Sequence, residues 1–371
     1  MKVVTLVGTR PELIKLSLTI AELDRQVEHR LVHTGQNYDF ELNEVFFRDL
    51  GIRKPDHFLE AAGGTAAKTI ARVIERFDEV LEVERPDAVL MLGDTNSCLG
   101  VIAAKRRRVP IFHMEAGNRC FDARVPEEIN RKIIDHTSDI NLAYTEHARR
   151  YLLAEGVRPE TVFVTGSPMR QVLQHFSERI ASADVKARMG LSVEGYFLVS
   201  AHREENVDDP TRLTMLMIAF EALSAAHDLP ILFSAHPRTR ERLDALPQAR
   251  KNERIRIVKP LGFHDYISLQ QGAYCVVSDS GTLTEESAIL GFPAVMIRDA
   301  HERPEGMDEG TVVMCGLKRD RLLDAVKLVR AHKDIRFRAP RDYDAENVAE
   351  KVVRIILSYT DYVNRTVWFK S

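Results

Sequence analysis

Short runs of consecutive apolar and β-branched residues recur through the first half of the chain, at 3–7, 30–33, 88–92, 110–114, 140–143 and 162–165. Runs that are apolar at every position, rather than at alternate ones, predict strands buried on both faces of a parallel sheet. Between them, apolar residues fall at helical spacing over 11–24, 65–83, 96–107 and 126–137, and the first and last of these segments open on a proline suited to the first helical turn. The alternation predicts a βαβ series. After 169–177 the pattern restarts, with runs at 197–200, 231–234, 255–258, 275–277 and 294–297, so a second parallel sheet is expected. Turn residues cluster at Gly166-Ser167-Pro168 between the two series and mark the junction. The fold class is therefore α/β, with two Rossmann-like domains, 1–168 and 169–344, facing across a cleft that is a natural ligand site.

Composition narrows the function. The 371 residues are 44% apolar and 29% charged, which is the profile of a globular protein, and the net charge of −3 provides no positive field for nucleic acid or an anionic membrane. An anionic ligand must be held locally. The four cysteines, Cys98, Cys120, Cys275 and Cys315, form no C-x-x-C pair, so neither a metal site nor a disulfide framework is expected and a reducing cytoplasm fits them. The first apolar run is too short for a signal-peptide core, and no stretch approaches the ~18 apolar residues of a membrane span.

In open α/β sheets, ligands bind beyond the carboxyl ends of the strands, so residues just after each apolar run carry the information. The first such loop, Gly8-Thr9-Arg10-Pro11-Glu12, leads into a helix, and its backbone N–H groups with Arg10 and Lys15 can cradle a phosphate; an ordinary strand-to-helix turn explains the same residues. It matches neither G-x-x-x-x-G-K-[ST] nor G-x-G-x-x-G. Carboxylates follow at Asp94, Glu115 and the pair Glu127-Glu128, the last opening a helix that also carries Arg131. Acidic groups projecting to one sheet edge suit proton transfer, although Asp94 can also cap a helix and Glu127 or Glu128 can complement its dipole.

The second half places His202 and His236 just after strands, where each can donate to phosphate or serve structure. The segment Val276-Val277-Ser278-Asp279-Ser280-Gly281-Thr282 is a strand running into a Ser/Gly turn and a helix, and N–H groups at Ser280, Gly281 and Thr282 suit a diphosphate. Glu286, about one turn on, is placed to accept ribose hydroxyls, and Arg298 and Arg303 add positive charge at another strand end.

Taken in order, VGTRPE, LGDTNS, MEAG, PEEINR, SAHREEN and SDSGTLTEE followed by RDAHERPE resemble the non-hydrolysing UDP-N-acetylglucosamine 2-epimerase family across nearly the whole chain. The resemblance implies a glycosyltransferase-B-type fold, a homodimer, no cofactor, and a C-terminal helix at about 345–371 that returns to the first domain. It also implies a UDP-N-acetyl-hexosamine substrate whose C2 proton is removed as UDP leaves. Matching positions make Asp94, Glu115, Glu127 and His202 the catalytic candidates, and put Arg10, Lys15, Arg131, His236, Phe263, Gln271, Ser280, Gly281, Thr282, Glu286 and Arg303 on the substrate.

The departures bear on the sugar. MEAG continues as Asn118-Arg119-Cys120-Phe121-Asp122 where L-R-[ST] is usual, and SGG becomes Ser280-Gly281-Thr282, a version similar to the subgroup acting on UDP-linked 6-deoxy-L-sugars to give UDP-N-acetyl-L-fucosamine for surface polysaccharide. Asn37-Tyr38 after Gln36, and Gly64-Thr65-Ala66-Ala67, replace stretches common in allosterically activated members, which argues against such activation. A UDP-sugar glycosyltransferase of the same fold, a hydrolysing 2-epimerase and a non-catalytic UDP-sugar sensor stand as rival readings.

Overall fold

The computed structural model describes residues 1–35, 47–246 and 252–370. Gln36, Asn37 and Tyr38 lie outside the described residues. The chain divides into two compact units, Met1–Gln174 with Arg341–Ser371, and His175–Pro340.

The described strands of the first unit are β1 (Lys2–Val7), β2 (Glu28–His33), β3 (His57–Phe58), β4 (Ala88–Leu92), β5 (Ile111–Ala116), β6 (Ile140–Ala143) and β7 (Val162–Val164). They form one parallel sheet in the order β3-β2-β1-β4-β5-β6-β7. Val3, Val4, Val89, Leu90, Ile111 and Phe112 are fully buried, as continuous apolar runs covered on both faces by helices require. The helix Val348–Thr366 belongs to this unit and packs on the helix Arg10–Gln26. Its inward stripe, Val348, Val352, Val353, Ile356, Thr360 and Val363, keeps helical spacing.

The second unit contains β8 (Phe197–Ser200), β9 (Ile231–Ser234), β10 (Ile255–Val258), β11 (Cys275–Ser278), β12 (Ala294–Met296) and β13 (Val313–Met314), again parallel, in the order β10-β9-β8-β11-β12-β13. Both sheets therefore reverse direction of growth beside their first strand, between β1 and β4 and between β8 and β11. There the following loops part to opposite faces and leave a crevice.

Three local expectations are corrected. β3 and β13, two residues each, are too short to leave a periodic signal. The helix expected over 96–107 is a 3-10 turn, Asn96–Gly100, followed by Val101–Arg106, and within the tighter turn Ser97 makes a 2.7 Å hydroxyl contact with Thr34. β5 runs on to Ala116 through a register shift against β6, so Glu115 lies inside the strand rather than after it. Among the described residues, no helix is long and apolar enough to cross a membrane.

Candidate active site

In the first unit, the crevice between β1 and β4 is closed by Glu12. Thr9 is the N-cap of the helix Arg10–Gln26 and Glu12 its third residue, so the carboxylate folds back onto the helix start. Oε2 accepts from the N–H groups of Gly8 at 2.6 Å and Thr9 at 3.3 Å, and Oε1 accepts from the Thr95 hydroxyl at 2.6 Å. One buried carboxylate thus ties the loop after β1 to the loop after β4, and burial pushes it up to about 7 against the pull of these donors. The expectation of free loop amides for a phosphate is corrected here: the Gly8 and Thr9 N–H groups bind Glu12. Gly8 is required because a Cβ would collide with the hydroxyls of Ser97 and Thr34.

Two further carboxylates stand nearby, each held by a cation. Lys15 Nζ lies 2.5 Å from Glu115 Oε2, with side-chain exposures of only 5% and 11%. Glu115 has φ +63° at the β5 irregularity, a left-handed conformation that turns its side chain from the direction regular pleating would give, and Asn118 Nδ2 stands 3.4 Å from its Oε1. Asp94 Oδ2 accepts from Arg131 Nε at 2.8 Å, while Arg131 Nη1 donates to Glu128 Oε2 at 2.8 Å. The fields of Glu12, Asp94 and Glu115 all reach the buried Cys98 thiol; burial first, then these charges, raise it well above its ordinary value. The three acids therefore share one small region of the sheet edge.

Glu127 and Glu128 differ in environment. Glu128 is buried and accepts from the N–H groups of Cys120 and Phe121, which shapes the loop 118–122. Glu127 is half-buried one position earlier in the helix Pro126–Thr137, and Arg10 is half-buried at the first position of its own helix. Beneath the loops, His113 bridges Gly93 O and Asp135, and Asp135 also accepts from Gly117 N and Arg119.

In the second unit, Ser200 and Ser278 end β8 and β11 with their hydroxyls 2.6 Å apart, and Tyr266 donates to Ser200 at 3.1 Å. Asp279 follows, fully buried, accepting from His202 N, Arg203 N and Asn206 Nδ2. Burial pushes its carboxyl up, but the charge and hydrogen bond of His202, with the other donors, prevail and hold it at about 2. His202 is 47% exposed, with Nδ1 3.1 Å from Asp279. The Ser280 hydroxyl contacts that of Thr282 at 3.0 Å, and Gly281 is the N-cap of the helix Thr282–Leu290. Gln270 donates to Glu286 at 2.6 Å. His236 is half-buried at the N-cap of the helix Pro237–Asp244.

Several of the expected substrate residues have partners within the protein. Ser280 N–H is taken by Ser278 Oγ at 3.0 Å. Phe263 is 4% exposed and packs edge-on against Phe176, so it belongs to the core; Tyr266 is the aromatic at the strand edge. Gln271 is exposed, and its neighbour Gln270 is the residue that reaches Glu286. Arg303 is 1% exposed and binds Gly281 O and Glu285, bracing the turn, while Arg298 and Arg203 meet on Glu302. Tyr266 and Gln270 lie four apart on the helix Phe263–Gly272, a spacing that marks a shared face, and the Thr9/Glu12 capping box is likewise visible in the sequence. Among the described residues no group of three or more His, Cys, Asp or Glu could hold a metal ion.

Comparison with known proteins agrees with this layout. A family model described as UDP-N-acetylglucosamine 2-epimerase matches residues 21–357. The chain is 36% identical over 333 residues to UDP-2,3-diacetamido-2,3-dideoxy-D-glucuronate 2-epimerase of Pseudomonas aeruginosa, covering 88% of this chain and 92% of that protein. Its structure is similar to that of a UDP-N-acetylglucosamine 2-epimerase from Rickettsia bellii, with a TM-score of 0.94, 54% identity and both chains covered at 100%. Similarity extends to Methanocaldococcus jannaschii UDP-GlcNAc 2-epimerase in complex with UDP-GlcNAc and UDP, with a TM-score of 0.91, 33% identity, and 96% and 100% of the two chains covered. Phytolacca americana UGT2, at a TM-score of 0.58 and 11% identity over 97% and 99% of the chains, shares the glycosyltransferase-B-type fold alone.

Proposed function

The chain belongs to the UDP-N-acetylglucosamine 2-epimerase family and is an isomerase, and on that premise we propose that it inverts carbon 2 of a UDP-activated N-acetyl-hexosamine by eliminating and re-adding UDP. The C2 proton of such a sugar is not acidic by itself. A base removes it while the C1–O bond breaks; the C–H electron pair becomes the C1=C2 double bond and the leaving pair stays on UDP. The resulting 2-acetamidoglucal takes a proton on the opposite face of C2 as UDP oxygen rejoins C1. Atoms and electrons balance without a cofactor.

Asp94, Glu115 and Glu127 carry the protons in this reading. Asp94 beside Arg131 and Glu115 beside Lys15 stand at neighbouring strands, and these two cation-held carboxylates are the observation that supports the reading most. His202, Gly281 and the Ser280 and Thr282 hydroxyls are donors for the charge that develops on the diphosphate, with Arg10 and His236 nearby in role. Glu286 accepts from the ribose, and of the helix Phe263–Gly272, where Phe263 and Gln271 are the expected substrate residues, Tyr266 and Gln270 are the ones this reading sets against the uracil base.

The substrate we propose is the UDP-linked 6-deoxy-L-sugar that yields UDP-N-acetyl-L-fucosamine, a surface-polysaccharide precursor. The distinctive 118–122 loop supports this, because Asn118 touches Glu115 and Cys120 N–H and Sγ touch Glu128, the partner of Arg131. A homodimer in the cytoplasm belongs to the same reading.

The test is incubation in D2O with UDP-N-acetylglucosamine and, separately, N-acetylated UDP-6-deoxy-L-talosamine, followed by NMR. The expected result is deuterium at C2 of both epimers, faster with the 6-deoxy-L donor. Faster exchange with UDP-N-acetylglucosamine overturns the sugar assignment. Released free sugar makes the protein a hydrolysing epimerase, and a fully protonated pool with both donors leaves transfer or binding.

A further inference from the structure

His113 lies in β5, two residues before Glu115, and its ring is 1% exposed. Nε2 is 2.8 Å from the carbonyl oxygen of Gly93, the residue that precedes Asp94, and Nδ1 is 2.9 Å from Asp135 Oδ1. The second oxygen of Asp135 accepts from Gly117 N at 3.1 Å and from Arg119 Nη1 at 2.7 Å. Arg119 in turn holds Glu155 through Nε and Nη2. One ring therefore joins the turn that carries Asp94 to the network that fixes the segment just beyond Glu115.

Both segments need fixing. Gly93 has φ +85° and Glu115 φ +63°, and β5 slips register against β6 between Met114 and Ala116. In a regular strand, residues 113 and 115 point to the same face. Here His113 keeps the inward direction while the irregularity re-aims Glu115 toward Lys15. A left-handed non-glycine residue persists only where its surroundings over-determine it, and the His113–Asp135 pair supplies that determination from below.

The chemistry of the two partners decides the state of the ring. A backbone carbonyl can only accept. Asp135 Oδ2 already accepts from Gly117 N and from the Arg119 guanidinium, whose charge favours the carboxylate form, so Oδ1 too presents lone pairs to the ring. A neutral imidazole carries one N–H and would leave one of these contacts as two facing lone pairs.

We propose that His113 is a positioning residue for the acid–base pair, and that it acts as a doubly protonated ring donating from Nε2 to Gly93 and from Nδ1 to Asp135. It touches no substrate atom in this role. Its effect is on the relative placement of Asp94 and Glu115, so it rests on the function proposed above.

Two measurements test it. In protein labelled with 15N-histidine, correlation spectra near neutral pH should show a ring with two protonated nitrogens whose signals are absent from H113Q. A His113 ring with one bare nitrogen overturns the proposal. In the exchange assay, H113Q should lose about 100-fold in kcat with KM within about threefold, the split expected when reacting groups are displaced while binding elements stay intact. H113F removes both donors and should lose more; if it fails to fold, H113Q and the wild-type spectrum still decide. An H113Q enzyme with unchanged kcat also overturns the proposal. The ring signal is read in wild-type protein without substrate, so an inactive wild type, which removes the functional reading, is distinguishable from a neutral ring, which removes this one.

Discussion

Lys15 Nζ and Glu115 Oε2 are 2.5 Å apart across the first turns of one helix and the end of β5. Both side chains are nearly out of solvent, so their attraction is screened far less than that of a surface pair. The same burial makes either partner expensive to leave alone. On the proposed function the pair serves both stability and proton transfer, which substitutions can separate.

K15M should destabilise the protein by about 3 kcal/mol, because it strands the Glu115 charge in a buried setting. Adding E115Q should restore most of that stability without restoring exchange at C2. Thermal unfolding of the two single variants and the double variant measures the first effect, and deuterium incorporation the second. Full exchange in the double variant removes both residues from the chemistry.

Asp94 is held by Arg131 of the helix Pro126–Thr137, and Asn130 of the same helix donates to the Asp94 carbonyl at 2.9 Å. D94N keeps the size and loses the carboxylate that is the base in the proposed reaction. Exchange should fall by about 1000-fold, the scale of a lost general base, while UDP affinity measured calorimetrically stays within about tenfold. R131K should be more damaging than its charge suggests, since an ammonium cannot bridge Asp94 and Glu128 as the guanidinium fork does.

The aromatic exchange in the second unit gives a paired prediction. Y266A should weaken UDP binding by roughly tenfold to 100-fold, the usual worth of one base stacked on an aromatic ring. F263A should instead cost about 3 kcal/mol or more of stability, as for a core phenylalanine, and leave UDP affinity of the folded protein unchanged. Titration of UDP into both variants with parallel melting curves checks the assignment. The reverse pattern would return the base contact to Phe263.

The strand-end residues were legible because parallel strands buried on both faces leave unbroken apolar runs, and Asp94, His202 and Asp279 stand just after such runs. Register and side-chain direction left less trace. Phe263 and Tyr266 are both aromatic residues of one helix, and only tertiary packing against Phe176 tells which faces the core. Glu115 was expected beyond its strand, but the irregularity that re-aims it leaves no mark in sequence. The loop amides at Gly8 and Thr9 are bound by Glu12 in a local capping box that the Thr9-x-x-Glu12 spacing signals, whereas the contact of Thr95 with the other carboxylate oxygen is long-range and leaves no local mark.

Glu12 gives a prediction about pH whose sign is opposite to that of most carboxylates. Its folded-state value of about 7 lies above the ordinary 4.5, so the folded protein holds this proton more tightly than the unfolded chain does. The stabilisation is complete below 4.5 and is lost as pH rises through about 7, with a magnitude of about 3 kcal/mol by linkage. Asp279, held at about 2, contributes in the other direction and only in strong acid, so it is silent in this window. E12Q keeps an acceptor for Gly8 and Thr9 and presents an amide to Thr95, imitating the protonated acid at every pH. Relative to wild type, E12Q should therefore gain stability on going from about pH 5 to about pH 8, by an amount approaching the linkage figure. Melting temperatures of the two proteins across that range measure it. A difference that does not change with pH would mean that Glu12 is already ionised throughout, and that its donors outweigh burial.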